Sequence, residues 1–240
     1  MYDKKYYEIM DKGYSGTGSI IFLTIIEELS KHKGEKILDA GCESGFYLPF
    51  ISKQFKIVYG FDFSREGCEI AKQKIKRFKN VHVFQHDLTK KTKFKKSSFD
   101  VILCSEVLEH IYNLDASLKE LKRILKINGT LIITVPNFTF LGHSYIEEKI
   151  TEFFFHWKDP THIHRYSIKK WENILKKYFF IEKVYTTTHY FSKILHKIGF
   201  NRNIVFKIDK LNRKLPLLNK LGRNIIFVLK NSKQSENDQL

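Results

Sequence analysis

Cysteine is scarce and poorly placed for bridges. Cys42, Cys68 and Cys104 form an odd, widely spaced set with no CxxC pair, which excludes a disulfide framework and a zinc knuckle. Four prolines and twelve glycines leave no material for a long linker, and no repeat of solenoid or propeller period is present. The longest apolar run, Ile20–Ile26, is broken by Thr24 and followed by Glu27 and Glu28, far short of the roughly 20 residues that span a bilayer. The first residues, Met1-Tyr2-Asp3-Lys4-Lys5, lead into no secretory apolar core, so the sequence predicts a cytoplasmic setting, at most peripheral to a membrane. Acids are also in deficit, 26 against 42 Lys and Arg, for a net charge of +16. That excess points either to an anionic partner or to a Lys/Asn/Ile/Phe bias of the host proteome.

Core material is ample. Of the 240 residues, 42% are hydrophobic and 15% aromatic, enough for one globular domain with an appendage. Helical periodicity marks 19–32, 47–55, 65–78, 114–125 and 168–177. Short apolar runs bounded by turn residues mark strands at 36–39, 56–62, 81–84, 99–104, 129–135, 180–187 and 224–230. Between 137 and 161 the chain is aromatic-rich and expected to be irregular. Strands alternating with helices predict βαβ units and a mostly parallel, doubly wound sheet. Ligands of such sheets collect at the strand carboxyl ends.

The densest motif is Ile37-Leu38-Asp39-Ala40-Gly41-Cys42-Glu43-Ser44-Gly45. An apolar strand ends in an acid, and a glycine-punctuated turn then opens a helix. Gly41 and Gly45 permit positive φ and close backbone approach to a ligand. Asp62 ends the second strand and Asp87 follows the third. Phe99–Glu106 and Gly129–Asn137 supply a fourth and a fifth strand.

In this order the set resembles class I S-adenosylmethionine-dependent methyltransferases over about residues 20–190. The resemblance implies a seven-stranded α/β sheet with helices on both faces and an antiparallel last strand beside the sixth. It also implies S-adenosylmethionine held by Asp39, Gly41, Glu43, Gly45, Asp62, Phe63, Asp87, Leu88, Ser105 and Glu106. Asp62 would bridge the ribose hydroxyls and Asp87 would take the adenine amino group. The family usually reads D/E-x-G-x-G-x-G, and here Glu43 stands at the middle glycine. Its side chain either crowds the amino-acid end of the cofactor or accepts a hydrogen bond from the ammonium there. A nicotinamide dehydrogenase would want G-x-G-x-x-G, which this turn lacks.

Glu106-Val107-Leu108-Glu109-His110 follows the fourth strand. On a helical turn Glu106, Glu109 and His110 would share a face through i,i+3 and i,i+4 spacing, a donor set for Mg, Mn or Zn. The run is similar to E-x-x-E-H in 3-demethylubiquinone O-methyltransferases and in small-RNA 3′-terminal 2′-O-methyltransferases. The RNA enzymes add a downstream D-H-x-F-E-W segment. Thr161-His162-Ile163-His164-Arg165-Tyr166 puts His162 at its histidine but lacks Phe-Glu-Trp. The metal set is therefore Glu106, Glu109, His110 and His162, with His110 and His162 the catalytic candidates. In the plainer reading Glu106 touches cofactor or substrate while His110 caps or packs. His164 is read as a packing residue. His32, His82, His86, His143, His189 and His196 carry no site signal.

Between Lys193 and Lys233 eleven cations face one acid, Asp209, which puts +10 of the net +16 in about a sixth of the chain. Apolar residues lie between them. Such a stretch either completes the core, covers the substrate mouth as a lid, or lies on an anionic membrane. The expected organisation is a helical cap (1–35), a cofactor-binding core (36–190), a basic amphipathic insertion (191–223), the last strand (224–230) and a disordered tail (231–240). The expected function is O-methylation of a small-molecule, lipid or glycan acceptor. An RNA 2′-O-methyltransferase with a divalent metal, and a non-catalytic binding module of the same fold, are the alternatives. No N/D-P-P-Y/F motif for base amines is present.

Overall fold

The computed structural model of the chain describes residues 18–32, 34–140, 143–155, 161–188, 194–195, 198–215 and 217–232. The start of the expected cap and the tail beyond 232 lie outside these, as do Lys193, Lys197 and Lys233.

In chain order the elements are α1 (Gly18–Ser30), β1 (Lys36–Ala40), α2 (Leu48–Ile51), β2 (Ile57–Asp62), α3 (Arg65–Ile75), β3 (Val81–Gln85) and β4 (Phe99–Ser105). They continue with α4 (Leu114–Ile124), β5 (Leu125–Pro136), α5 (His143–Phe155), α6 (Ile168–Leu175), β6 (Phe180–Thr187), α7 (Arg202–Asn212) and β7 (Asn224–Lys230). The seven strands order as β3-β2-β1-β4-β5-β7-β6. The first five run parallel. β7 lies antiparallel between β5 and β6, pairing with both, which is the expected seven-stranded arrangement.

The period-two pleat of the strands sorts their residues into two cores. Leu38, Phe61, Ile102, Cys104, Leu131, Ile133 and Phe227 pack under Leu118 and Leu121 of α4 and Trp171 and Leu175 of α6. Ile37, Val58, Val101, Leu103, Ile132 and Ile226 pack against Phe22, Ile25 and Leu29 of α1, Leu48 and Ile51 of α2, and Ala71 and Ile75 of α3. Each of the five inner strands is thus apolar on both faces, as strands covered on both sides must be. Ser64, Asn113 and Ser167 cap α3, α4 and α6, each accepting a backbone N–H from three residues on.

Two expectations on elements change. The helix read at 47–55 closes after one turn, at Ile51, with Pro49 in its first turn. The stretch read as irregular between 137 and 161 contains α5. Its aromatic content masked a helix whose apolar positions have no clean stripe. The basic amphipathic insertion expected at 191–223 contains, among the described residues, α7 and a 3₁₀ turn at Leu218–Lys220.

Candidate functional site

The carboxyl ends of β1, β2, β3 and β4 surround a cavity of about 620 Å³. Its first wall is the turn after β1, where Gly41, Glu43 and Gly45 all adopt positive φ, of 85°, 46° and 75°. The N–H groups of Gly41 and Cys42 donate to the Phe61 carbonyl at 2.8 and 2.9 Å, which ties this turn to β2. A Cβ on Gly41 would lie 2.3 Å from a Val107 methyl. Only glycine fits there, because its backbone is pressed against the segment that follows β4. Glu43 is a non-glycine residue in the left-handed region, and its N–H donates to Asp62 Oδ2 at 2.8 Å. Asp62 Oδ1 accepts from the Ser64 N–H at 2.8 Å. The carboxylate is thereby fixed at the cavity wall by two backbone donors, with lone pairs left for a diol.

Asp87 is organised in the same way. Its Oδ1 accepts from the Thr89 hydroxyl at 2.7 Å and the Thr89 N–H at 2.9 Å. The hydroxyl contact leads in holding this carboxyl below the usual carboxylate range. Eight of the ten expected cofactor residues line the cavity: Gly41, Glu43, Asp62, Phe63, Asp87, Leu88, Ser105 and Glu106. Asp39 and Gly45 do not. Gly45 supports the turn from behind, against Leu48 and Ala71. Asp39 is buried, and its Oδ2 has no hydrogen-bond partner among the described residues. Burial first, and the Asp62 charge second, push its carboxyl up to about 7. The sequence reading missed Ile21, Phe46, Tyr47, Val107, Ile111 and Tyr112, and dismissed His86, all of which line the cavity. No motif announces them. They are wall residues selected by shape, although His86 stood beside a predicted site acid.

The E-x-x-E-H run does not form the expected shared helical face. Only Leu108–His110 is helical, as one 3₁₀ turn, and Glu106 precedes it with φ of 54°. Glu106 turns toward the sheet, where Thr134 Oγ1 donates to its Oε1 at 2.8 Å and Asn224 Nδ2 to its Oε2 at 2.9 Å. Glu109 is fully buried, and neither of its carboxylate oxygens has a hydrogen-bond partner among the described residues. Burial, and then the charge of Glu106, raise its carboxyl well above the usual range. Burial likewise raises Glu106, against the Thr134 hydroxyl, Arg223 and Asn224.

His110 Nδ1 is 2.9 Å from the Thr161 carbonyl. A carbonyl only accepts, so the proton sits on Nδ1 and the neutral ring presents Nε2 as a lone pair. That Nε2 is 3.8 Å from Glu109 Oε1, and the His110 and His162 ring centroids are 4.9 Å apart. Donor atoms of Glu109, His110 and His162 all lie within 4.8 Å of one another. Three of the four expected metal ligands therefore come together, and Glu106 stands apart from them. His164 is a packing residue: its ring nitrogens meet the Tyr166 hydroxyl at 3.0 Å and the Ile111 carbonyl at 2.8 Å. None of the described residues of the basic insertion lines the cavity.

A glycine turn, two fixed carboxylates in strand order and a parallel sheet closed by an antiparallel strand define the class. Residues 38–133 match the family model described as a methyltransferase domain, and in fold and motif order the chain is similar to class I S-adenosylmethionine-dependent methyltransferases. It is 33% identical over 124 residues to a ubiquinone biosynthesis O-methyltransferase of Histophilus somni, covering 47% of this chain and 52% of that protein. It is 34% identical over 148 residues to an uncharacterised protein of Methanocaldococcus jannaschii, covering 60% and 66%. The chain spans about half the length of the first of these relatives. Among solved structures, phosphoethanolamine N-methyltransferase 2 of Haemonchus contortus in complex with S-adenosyl-L-methionine shares the fold. There the TM-score is 0.63 at 21% identity, over 88% of this chain and 52% of that one.

Proposed function

We propose that the chain transfers the methyl group of S-adenosylmethionine to an oxygen of a small-molecule, lipid or glycan acceptor. One observation carries the reading: Gly41, Glu43, Asp62, Asp87 and Ser105, ordered along the chain, converge on a single cavity at the strand carboxyl ends. The name of the Histophilus relative, an O-methyltransferase, favours oxygen as the acceptor atom.

The residues fit this cofactor. Asp62, held by the N–H groups of Glu43 and Ser64, offers its remaining lone pairs to two ribose hydroxyls. Asp87 would take the adenine amino group, with Leu88 and Phe63 as wall. Glu43, on the cavity wall, would accept a hydrogen bond from the cofactor's ammonium. Bound S-adenosylmethionine supplies a methyl already activated on a sulfonium. The protein's main task is to align acceptor oxygen, methyl and sulfur. As the acceptor hydroxyl attacks, its proton passes to His110 Nε2, the lone pair left by the Nδ1–H bond to Thr161.

A second reading is favoured by the two buried oxygens of Glu109, unpartnered among the described residues. Glu109, His110 and His162 would hold a divalent cation, which supplies a Lewis acid that lowers the acceptor hydroxyl's pKa. His110 then serves as ligand rather than base.

The test is calorimetric titration with S-adenosylmethionine, followed by transfer of a tritiated methyl into lipid, saccharide and RNA fractions. Asp62→Asn should weaken binding by about 1.5–3 kcal/mol, the value of a charge-assisted hydrogen bond. A folded protein that binds no S-adenosylmethionine refutes the proposal, and label entering RNA alone refutes the acceptor class.

A further inference from the structure

The basic segment after β6 is fastened to the core through the inward face of α7 and through the turn at 219–222, where Asn219 meets Thr186 and Asn137 donates to the Lys220 and Gly222 carbonyls, and it leaves an unusual outer surface. On α7, Val205 packs with Ile20 of α1 and with Leu195. Asp209 is fully buried, accepting from the Thr187 hydroxyl at 2.7 Å and from Arg213 at 3.1 Å. Arg213 also donates to Thr24 on α1 at 2.6 Å. This attachment uses the segment's one acid and the inward face of α7.

What remains outside is aliphatic and cationic. Leu211 is 59% exposed, Leu217 76% and Ile198 65%, and Ile204, Leu215 and Phe200 are exposed as well. Lys207, Lys214 and Lys220 stand exposed among them, with no carboxylate partner among the described residues, while Lys210 pairs with Glu27. Positions 204, 207 and 211 follow i, i+3, i+7 spacing on α7, so Ile204, Lys207 and Leu211 share one outward face, and Lys214 lies just past the helix end. A helix that simply completes a core turns its aliphatic residues inward and shows water charges of both signs. Here the inward face is already satisfied, and the outward one pairs buried-type side chains with positive charge only.

We propose that this face docks on an anionic lipid surface, the aliphatic residues entering the boundary between headgroups and acyl chains while the lysines stay at phosphate level. Single-stranded nucleic acid fits it less well, because base stacking uses exposed aromatic rings and Phe200 is the one exposed aromatic here among the described residues. Docking has a geometric consequence for the cavity. β7 is antiparallel to both neighbours, so β6 is parallel to β5. The connection after Thr187 therefore leaves at the sheet end where the cavity lies. α1 links the two, since Ile21 lines the cavity while Ile20 packs under Leu195 and Val205. A docked molecule holds its cavity beside the lipid, which suits an acceptor drawn from the membrane. That last step rests on the methyl-transfer reading, whereas docking itself does not.

The experiment is co-sedimentation of the full chain with vesicles of phosphatidylglycerol and phosphatidylcholine, against pure phosphatidylcholine. Binding is expected on the anionic vesicles alone, falling at least about tenfold as salt rises from roughly 0.1 to 0.5 M, because the attraction is screened within a Debye length. The double variant Leu211→Ser, Leu217→Ser should lose at least about tenfold in vesicle binding. Lys207→Gln with Lys214→Gln and Lys220→Gln should flatten the salt dependence. Circular dichroism and S-adenosylmethionine titration of the same variants separate loss of docking from loss of fold or of cofactor binding. Equal sedimentation with both vesicle types or with neither overturns the proposal, as does unchanged binding by the folded variants. Tighter binding to a single-stranded RNA oligonucleotide than to anionic vesicles overturns it in favour of nucleic acid. A dimer in light scattering that Leu211→Ser abolishes overturns it in favour of a second copy of the chain.

Discussion

Replacing Asp39 by asparagine should change how the protein's stability depends on pH, and the sign follows from burial. Asp39 lies on β1 behind the cofactor turn, 1% exposed, with one carboxylate oxygen unpartnered among the described residues. Its carboxyl titrates near 7 in the folded chain, against an ordinary value of 3.8. A raised folded value means that the native state holds its proton more tightly than the unfolded chain does. The associated stability is complete below the unfolded pKa and is lost as pH climbs through the folded one. At about 1.4 kcal/mol per pH unit, the loss accumulates to about 4 kcal/mol above pH 7. Roughly 3 kcal/mol of it falls between about pH 4.5 and pH 8. Asparagine keeps the shape and cannot ionise. Urea denaturation without cofactor should therefore show the Asp39→Asn variant gaining about 3 kcal/mol on its parent across that interval. A fixed cost of about 1–3 kcal/mol for the buried amide applies at every pH and drops out of the comparison. Two pH profiles that stay parallel within about 0.5 kcal/mol would show that Asp39 is solvated or paired, and the reasoning would fail.

Gly41→Ala should destabilise the protein by about 2–4 kcal/mol and impair S-adenosylmethionine binding. The residue has a φ of 85° and its new Cβ would meet Val107 at 2.3 Å. Adding Val107→Ala should recover the steric part alone, as thermal melts of the double variant will show. Arg213→Met removes the guanidinium that lies 3.1 Å from the buried Asp209 and should cost about 3–5 kcal/mol. Asp209→Asn in that background should restore part of the loss, measured by denaturant unfolding. If Glu109, His110 and His162 hold a metal, elemental analysis of the purified protein will find one, and chelator will abolish turnover. Full activity in chelator assigns His110 the role of base.

The alternation of strand and helix was legible because each strand carries its own apolar run, bounded by an acid or a turn, as Leu38-Asp39 and Phe61-Asp62 show. The cofactor acids were legible for the same reason: each lies within two residues of a strand end, and strand ends can be located from apolar runs. Glu106 was not. Its spacing from Glu109 suits a helix, but the left-handed turn at Glu106 rotates its carboxylate toward Thr134 and Asn224, and Asn224 lies 118 residues away. No local pattern encodes a partner at that distance. Tyr112, 87% exposed at the cavity, was missed on similar grounds, because a lone tyrosine in a loop has no periodicity to betray it. For α5, its apolar residues are not confined to one face, which defeats a periodicity argument.

The position of β7 has a consequence for how the chain is made. β5 and β6 are not neighbours, and what joins them is a strand that leaves the ribosome after both. Until Asn224–Lys230 emerges, β5 presents an open edge of unpaired N–H and C=O groups and β6 has nowhere to dock. Residues Ile225 to Leu229, all fully buried in the finished sheet, arrive as the keystone of a structure that must wait for them. Assembly of this half of the sheet is therefore a late event in synthesis. For that interval the exposed edge of β5 is the surface most open to pairing with another nascent chain.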